Sequence, residues 1–157
     1  MVVIPWVKGR MSQVLAAQPA LIRNELVRAE IRNSLTQSAR AFSRGDVETM
    51  LEAYSPDAVV LPPNSPAVEG LVAIRQLWES LLAAGYRNAE FELDEIEHWG
   101  DVALAIGRYK VRIPNKSGAT QEDRGKYVGH WRRMPDGHFR VSVSMWYSDR
   151  WNQPSHP

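Results

Sequence analysis

The stretch from Asp123 to Asp149, DRGKYVGHWRRMPDGHFRVSVSMWYSD, constrains the fold more than any other part of the chain. Two long runs flank Met134-Pro135-Asp136-Gly137, and a Pro-Asp-Gly turn between such runs reads as a β-hairpin. The period of two begins earlier, near Arg87. Phe91, Leu93 and Ile96 fit a strand whose one slip in the alternation suggests a bulge. After the turn Trp99-Gly100-Asp101, Val102 to Ile113 forms a strand that is apolar on both faces at its start, as a central strand is. Pro114 to Gly118 then turns the chain into the hairpin.

Upstream the period is helical. Val27, Ile31, Leu35, Ser38 and Phe42 form one stripe between about Pro19 and Gly45. Gly45 is a natural stop, and Asp46 can cap a second helix with Val47, Met50, Leu51 and Tyr54 on one face. Ser55-Pro56 ends that helix, and Asp57 to Leu61 reads as a short strand closed by Pro62-Pro63. Leu71, Ile74, Leu77, Trp78, Leu81 and Leu82 mark a third helix that stops at Gly85. Three helices with one strand inserted, then four antiparallel strands, predict an α+β fold with helices packed on one face of a curved sheet. A chain of 157 residues suits one domain, expected over residues 19–151. Residues 1–18 read as an N-terminal extension or arm, and residues 152–157 as a tail.

Composition removes several function classes. A formal charge of +1 lacks the basic excess of nucleic-acid-binding domains. The absence of cysteine excludes thiolate chemistry and fits a reducing cytoplasm. No apolar run approaches the roughly 18 residues of a membrane span. His98, His130, His138 and His156 do not pair at ligand spacing, so no metal is expected. No phosphate-cradling or dinucleotide glycine loop and no Gly-x-Ser-x-Gly elbow occurs, so no cofactor is expected either.

Acid–base chemistry in a pocket is what remains. Lys126, Val128 and His130 share one face of their strand, as do Ser142, Ser144 and Trp146 on the next. If both faces are concave, His130 sits in a cleft walled by Val128, Trp146 and Tyr109. There a neutral imidazole can take or relay a proton, and Lys126 can steady an enolate or carboxylate. The plainer alternative makes Lys126 a rim charge and His130 a core histidine. Ser38, Tyr54 and Trp78 lie on inward helix stripes, as core packing or as pocket wall. Tyr127, Trp131, Val141, Val143 and Met145 would then form an apolar outer patch suited to a partner sheet.

Several segments together carry a family resemblance. They are Arg44-Gly45-Asp46-Val47-Glu48, Tyr54-Ser55-Pro56-Asp57-Ala58-Val59, Val68-Glu69-Gly70, Gly125-Lys126-Tyr127, Trp131-Arg132-Arg133, Asp136-Gly137 and Trp146-Tyr147-Ser148-Asp149. Over about residues 25–150 the chain resembles the nuclear-transport-factor-2-like superfamily. Within it, the chain is most similar to SnoaL-like, ketosteroid-isomerase-like small bacterial proteins. The resemblance implies a conical domain whose strongly curved, mostly antiparallel sheet encloses an apolar pocket, and a homodimer through the sheet. In the ketosteroid isomerases a carboxylate base follows the first strand, where this chain has Pro62. Their oxyanion-hole tyrosine corresponds to Ser38, and their protonated aspartic acid on the penultimate strand to His130. The pocket tryptophan matches Trp146, and the helix-two tyrosine matches Tyr54. Base and tyrosine donor are both missing, so the steroid isomerase mechanism does not carry over. The resulting expectation is a general acid/base enzyme of isomerase, cyclase or dehydratase type, acting on a small, mostly apolar carbonyl or hydroxyl compound. His130 would be the acid/base, with Lys126, Tyr54 and Ser38 polarising or orienting. The alternative is a non-catalytic ligand-binding or dimeric association module.

Overall fold

The computed structural model describes the backbone of residues 5–152 and the side chains of residues 19–150. Residues 1–4 of the expected arm and 153–157 of the expected tail lie outside the described residues. In chain order the elements are α1 (Pro5–Arg44), α2 (Val47–Leu51), β1 (Tyr54–Leu61), β2 (Val68–Glu69), α3 (Gly70–Ala83), β3 (Arg87–Trp99), β4 (Val102–Pro114), β5 (Thr120–Arg133) and β6 (Phe139–Ser148). A short 3-10 helix, Asp149–Asn152, follows. The strands form one curved sheet in the order β2-β1-β6-β5-β4-β3. Pairing is antiparallel except between β1 and β6. This is the α+β architecture that the element order implied.

Local chemistry sets most boundaries. Gly45 takes the positive φ that ends α1, and the Asp46 carboxylate accepts from the Thr49 N–H at 3.1 Å to start α2. At the β5–β6 turn, Met134 N–H donates to His138 O and Gly137 N–H to Met134 O, both at 2.8 Å. The slip in β3 is a register shift between Leu93 and Glu95.

Two boundaries differ from the sequence reading. First, α1 runs on towards the N-terminus from Pro19 and carries that proline inside it. The apolar stripe marks only the part of the helix that packs on the sheet. Further along, Leu21, Ile22 and Leu26 are exposed, so burial periodicity stops before the helix does. Second, α2 ends at Leu51, and Tyr54-Ser55-Pro56 belong to β1. The Val141 N–H donates to Ala53 O at 2.8 Å, and Tyr54 pairs with Val141. A sheet bond therefore claims the backbone that a longer helix would have used.

The helices cover one face of the sheet, and the core lies between. Val27 and Ile31 of α1 pack with Ala103, Ala105, Trp131, Phe139 and Val141. Ala41, Phe42 and Met50 meet Tyr109, Val111 and Tyr127. Val47 and Leu51 meet Ala58, Val60 and Ile74. Across β4 and β5, Gly107 stands opposite Tyr127, and Gly125 opposite Tyr109. A Cβ on Gly107 would lie 2.6 Å from the Tyr127 hydroxyl and collide with Glu92 O. One on Gly125 would lie 2.6 Å from the Tyr109 ring and collide with Tyr147 O. Each ring thus occupies the space that its facing glycine leaves empty.

Candidate functional site

Between the concave sheet face and the helices lies a cavity of about 520 Å3. Leu35, Ser38 and Phe42 reach it from α1, Met50 from α2, and Trp78 and Leu81 from α3. The Trp78 and Trp146 indoles stack with centroids 5.7 Å apart, and Phe42 meets Trp78 edge-on at 6.1 Å. Among the described residues, Asp123 and Arg150 are the charged groups of the lining.

Strand parity decides which side chains of the hairpin face inward. Alternate residues of β5, namely Asp123, Gly125, Tyr127, Gly129 and Trp131, are buried. Tyr127 pairs with Trp146, Gly129 with Ser144, and Gly125 with Ser148, so these residues share the concave face. Lys126, Val128 and His130 therefore sit on the opposite face, away from the cavity. That corrects the expectation that grouped them with Ser144 and Trp146, and equally the one that put Tyr127, Trp131 and Val141 on the outer patch. The cause is local. The register shifts between His130 and Trp131, which pair with Val143 and Val141, leaving Ser142 as the extra residue of a bulge. Parity along β6 changes there, and alternation in the sequence does not reveal it.

The remaining expected residues line the cavity: Ser38, Tyr54, Trp78, Tyr109, Ser144 and Trp146. On the outer face, His130 Nδ1 lies 2.5 Å from Ser142 Oγ, and that hydroxyl donates to His130 O at 3.2 Å. Lys126 pairs with Asp149, both exposed. Pro62 is absent from the lining, whereas Pro63 and Asn64 contribute to it.

Asp123 is the residue that sequence reasoning missed. Its side chain is buried, 7 % exposed as a residue, in the cavity wall. The Tyr109 hydroxyl donates to Oδ2 at 3.1 Å and the Ser148 hydroxyl to Oδ1 at 2.6 Å, while Arg150 Nε stands 3.8 Å from Oδ1. A signal was present in the chain. Asp123 begins the same every-other-residue series as Gly125, Tyr127, Gly129 and Trp131, whereas Glu122 and Arg124 fall on the solvated set.

Burial governs the phenols. Desolvation pushes the Tyr54 hydroxyl up to about 12, against the opposing influence of Ser144 and Trp78 beside it. Tyr109 is raised well above the ordinary tyrosine range by burial and then by the Asp123 charge. Tyr127, whose hydroxyl donates to Glu92 O at 3.3 Å, is raised by burial and then by Asp94. All three are neutral donors near neutral pH. Among the described residues, no three His, Asp or Glu side chains converge as metal ligands, and no helix is long and apolar enough to cross a membrane.

Residues 35–142 match the model of the SnoaL-like domain. The chain belongs to the SnoaL-like domain family. No curated protein is significantly similar in sequence. Among solved structures, the SnoaL-like chain is similar to an NTF2-like protein with a cystatin-like fold from Novosphingobium aromaticivorans. That match has a TM-score of 0.72 and 21% identity, and covers 90% of this chain and 92% of the other. It is also similar to a ketosteroid isomerase-like protein from Erwinia carotovora atroseptica, at TM-score 0.69 and 19% identity, covering 80% and 96%. A Catenulispora acidiphila protein solved in complex with S-DNPA matches at TM-score 0.69 and 16% identity, again covering 80% and 96%. At these identities the likeness establishes the fold.

The buried phenols make a measurable prediction. Because burial favours neutral Tyr54, its contribution to stability is intact below the ordinary value of 10.0 and is lost as pH climbs towards about 12. In a phenolate absorbance titration at about pH 11, Tyr54→Phe should leave the folded protein's signal unchanged while lowering that of the denatured chain. Loss of one phenolate from the folded signal at that pH would contradict the assignment.

Proposed function

We propose that this SnoaL-like protein is a proton-transfer enzyme acting on a small, mostly apolar hydroxyl or carbonyl compound, with Asp123 as its acid/base group. One observation carries the reading: a buried carboxylate, held by two hydroxyl donors, in a cavity walled mainly by aromatic and aliphatic side chains. Tyr109 and Ser148 fix both carboxylate oxygens, so Asp123 meets a bound molecule in one orientation. Its remaining lone pairs can take a proton from a ligand hydroxyl or from a carbon made acidic by a nearby carbonyl. The largely apolar walls limit competition from water in that exchange. The cavity volume lies in the range of small-molecule sites, about 300–1,000 Å3. Asp123 takes the role first expected of His130 and Lys126, which face away. A relative of the same fold solved with a bound small molecule supports ligand binding as a use of this architecture. The cysteine-free sequence suits the cytoplasm.

The outer sheet face supports a homodimer. Leu104, Ile106, Val128, Val143, Met145 and Leu61 form a continuous band, because Ile106 pairs with Val128, Val128 with Met145, and Met145 with Leu61. Ile106, Val143, Met145 and Leu61 are between 37% and 45% exposed, a concentration of apolar surface that water disfavours. Val128 occupies the place in this contact that Tyr127 and Trp131 were expected to fill.

Two experiments test these readings. In a mass-spectrometric screen of small ketones and hydroxy compounds, Asp123→Asn should lower turnover by about 100-fold or more, with ligand binding nearly unchanged. Unchanged turnover would sink the catalytic assignment, and thermal stabilisation by ligands without any turnover would favour the binding-module alternative. In sedimentation at micromolar concentration the protein should be a dimer that Met145→Glu converts to monomer. A monomeric parent protein would contradict the dimer.

A further inference from the structure

The cavity has a second polar end that the Asp123 chemistry does not use. Tyr54, at the start of β1, has the Ser144 hydroxyl and the Trp78 indole beside its own hydroxyl. Trp78 Nε1 is buried without a partner, and so is Trp131 Nε1. Trp131 is 1% exposed, and its indole lies over Gly129, where an added Cβ would come within 2.8 Å of Nε1. Gly129 pairs with Ser144. Two indole N–H groups and two hydroxyls therefore cluster at the Gly129–Ser144 pair.

A buried N–H without an acceptor is costly to the folded state, and native proteins carry few. Here two sit in the wall of one cavity. Indole can only donate, so rotating a side chain cannot turn one into a partner for the other. Neither indole N–H meets an acceptor of the protein, which leaves room for an oxygen supplied by a ligand. The charge of that oxygen also follows. Among the described residues, the cation of the lining is Arg150, which stands by Asp123 at the Ser148 end. Ser144 and Ser148 are four residues apart on β6, roughly 13 Å at about 3.3 Å per residue, with Trp146 between them. An anionic group at the Ser144 end would be desolvated without a counter-charge, whereas a neutral carbonyl would not.

We infer that Tyr54, Ser144, Trp78 and Trp131 form a subsite for an uncharged carbonyl oxygen of the ligand. The inference rests on the reading that the cavity binds a small molecule, but not on catalysis by Asp123. It narrows the ligand class to an extended apolar body that lies along Trp146 and Tyr127. A carbonyl marks one end, and a hydroxyl or acidic C–H meets Asp123 at the other. These four residues are positioning groups, because the carbonyl they hold is distant from the proton that Asp123 would move.

The test uses the full chain and two planar probes of matched shape, 2-acetylnaphthalene and 2-isopropenylnaphthalene, which differ in having C=O or C=CH2. Affinities are read from tryptophan fluorescence, and the carbonyl stretch of the bound ketone from infrared difference spectra. The ketone should bind about tenfold tighter, with its stretch shifted to lower wavenumber than in an alkane solvent. Tyr54→Phe and Ser144→Ala should each cut the preference several-fold and move the stretch back, leaving affinity for the hydrocarbon probe unchanged. Trp78→Phe, a smaller change to the packed wall, serves as a further variant. Asp123→Asn should preserve the preference even where it abolishes turnover, so failure of the catalytic reading is separable from failure of this one. Equal affinity for the two probes, or an unshifted stretch, would overturn the subsite and show that trapped water meets these donors. Binding of neither probe would overturn the subsite together with the ligand-binding cavity.

Discussion

Two reciprocal pairs across the centre of the sheet hold up the rest of the structure: Tyr127 against Gly107, and Tyr109 against Gly125. A sheet face bearing ordinary side chains would push rings that large up into the space below the helices. Glycine opposite each ring lets the tyrosines lie down as a floor, so a cavity survives above them. The same arrangement aims the hydroxyls. Tyr109 reaches Asp123, and Tyr127 is tied back to Glu92. Glycines that would weaken a strand by their flexibility are here what makes a pocket geometrically possible.

The faces of the hairpin then divide the labour. Inward lie Asp123, Tyr127 and Trp131 of β5 with Ser144, Trp146 and Ser148 of β6. Outward lie Val128 and His130, with charges such as Lys126 towards the rim. A shift of one residue would exchange these sets entirely, so the bulge at Ser142 is as consequential as any side chain in the cavity.

Much of this was legible in the chain. Alternation located every long strand, and helical spacing located the parts of α1 and α3 that touch the sheet. Composite motifs pointed to the superfamily to which the SnoaL-like domain belongs. What stayed hidden has physical causes. The end of α2 depends on a sheet bond from Val141 to Ala53, between residues far apart in sequence. Which face of β5 turns inward depends on tertiary packing, because both faces carry apolar groups. Histidine drew attention as the usual proton-transfer group near neutral pH, yet the cavity holds a carboxylate instead. Asp123 was visible only through the company it keeps on its own side of the strand.

The claim on which all of this depends is that the Ser144 side of the hairpin faces a ligand cavity while the Val128 side does not. The natural absence of cysteine makes it testable by single-cysteine labelling. With Ser144→Cys and Val128→Cys prepared separately, the rate of reaction with a thiol reagent is measured with and without 2-acetylnaphthalene. Slowing at position 144 alone is the predicted result. Protection at position 128 with none at 144 would contradict it.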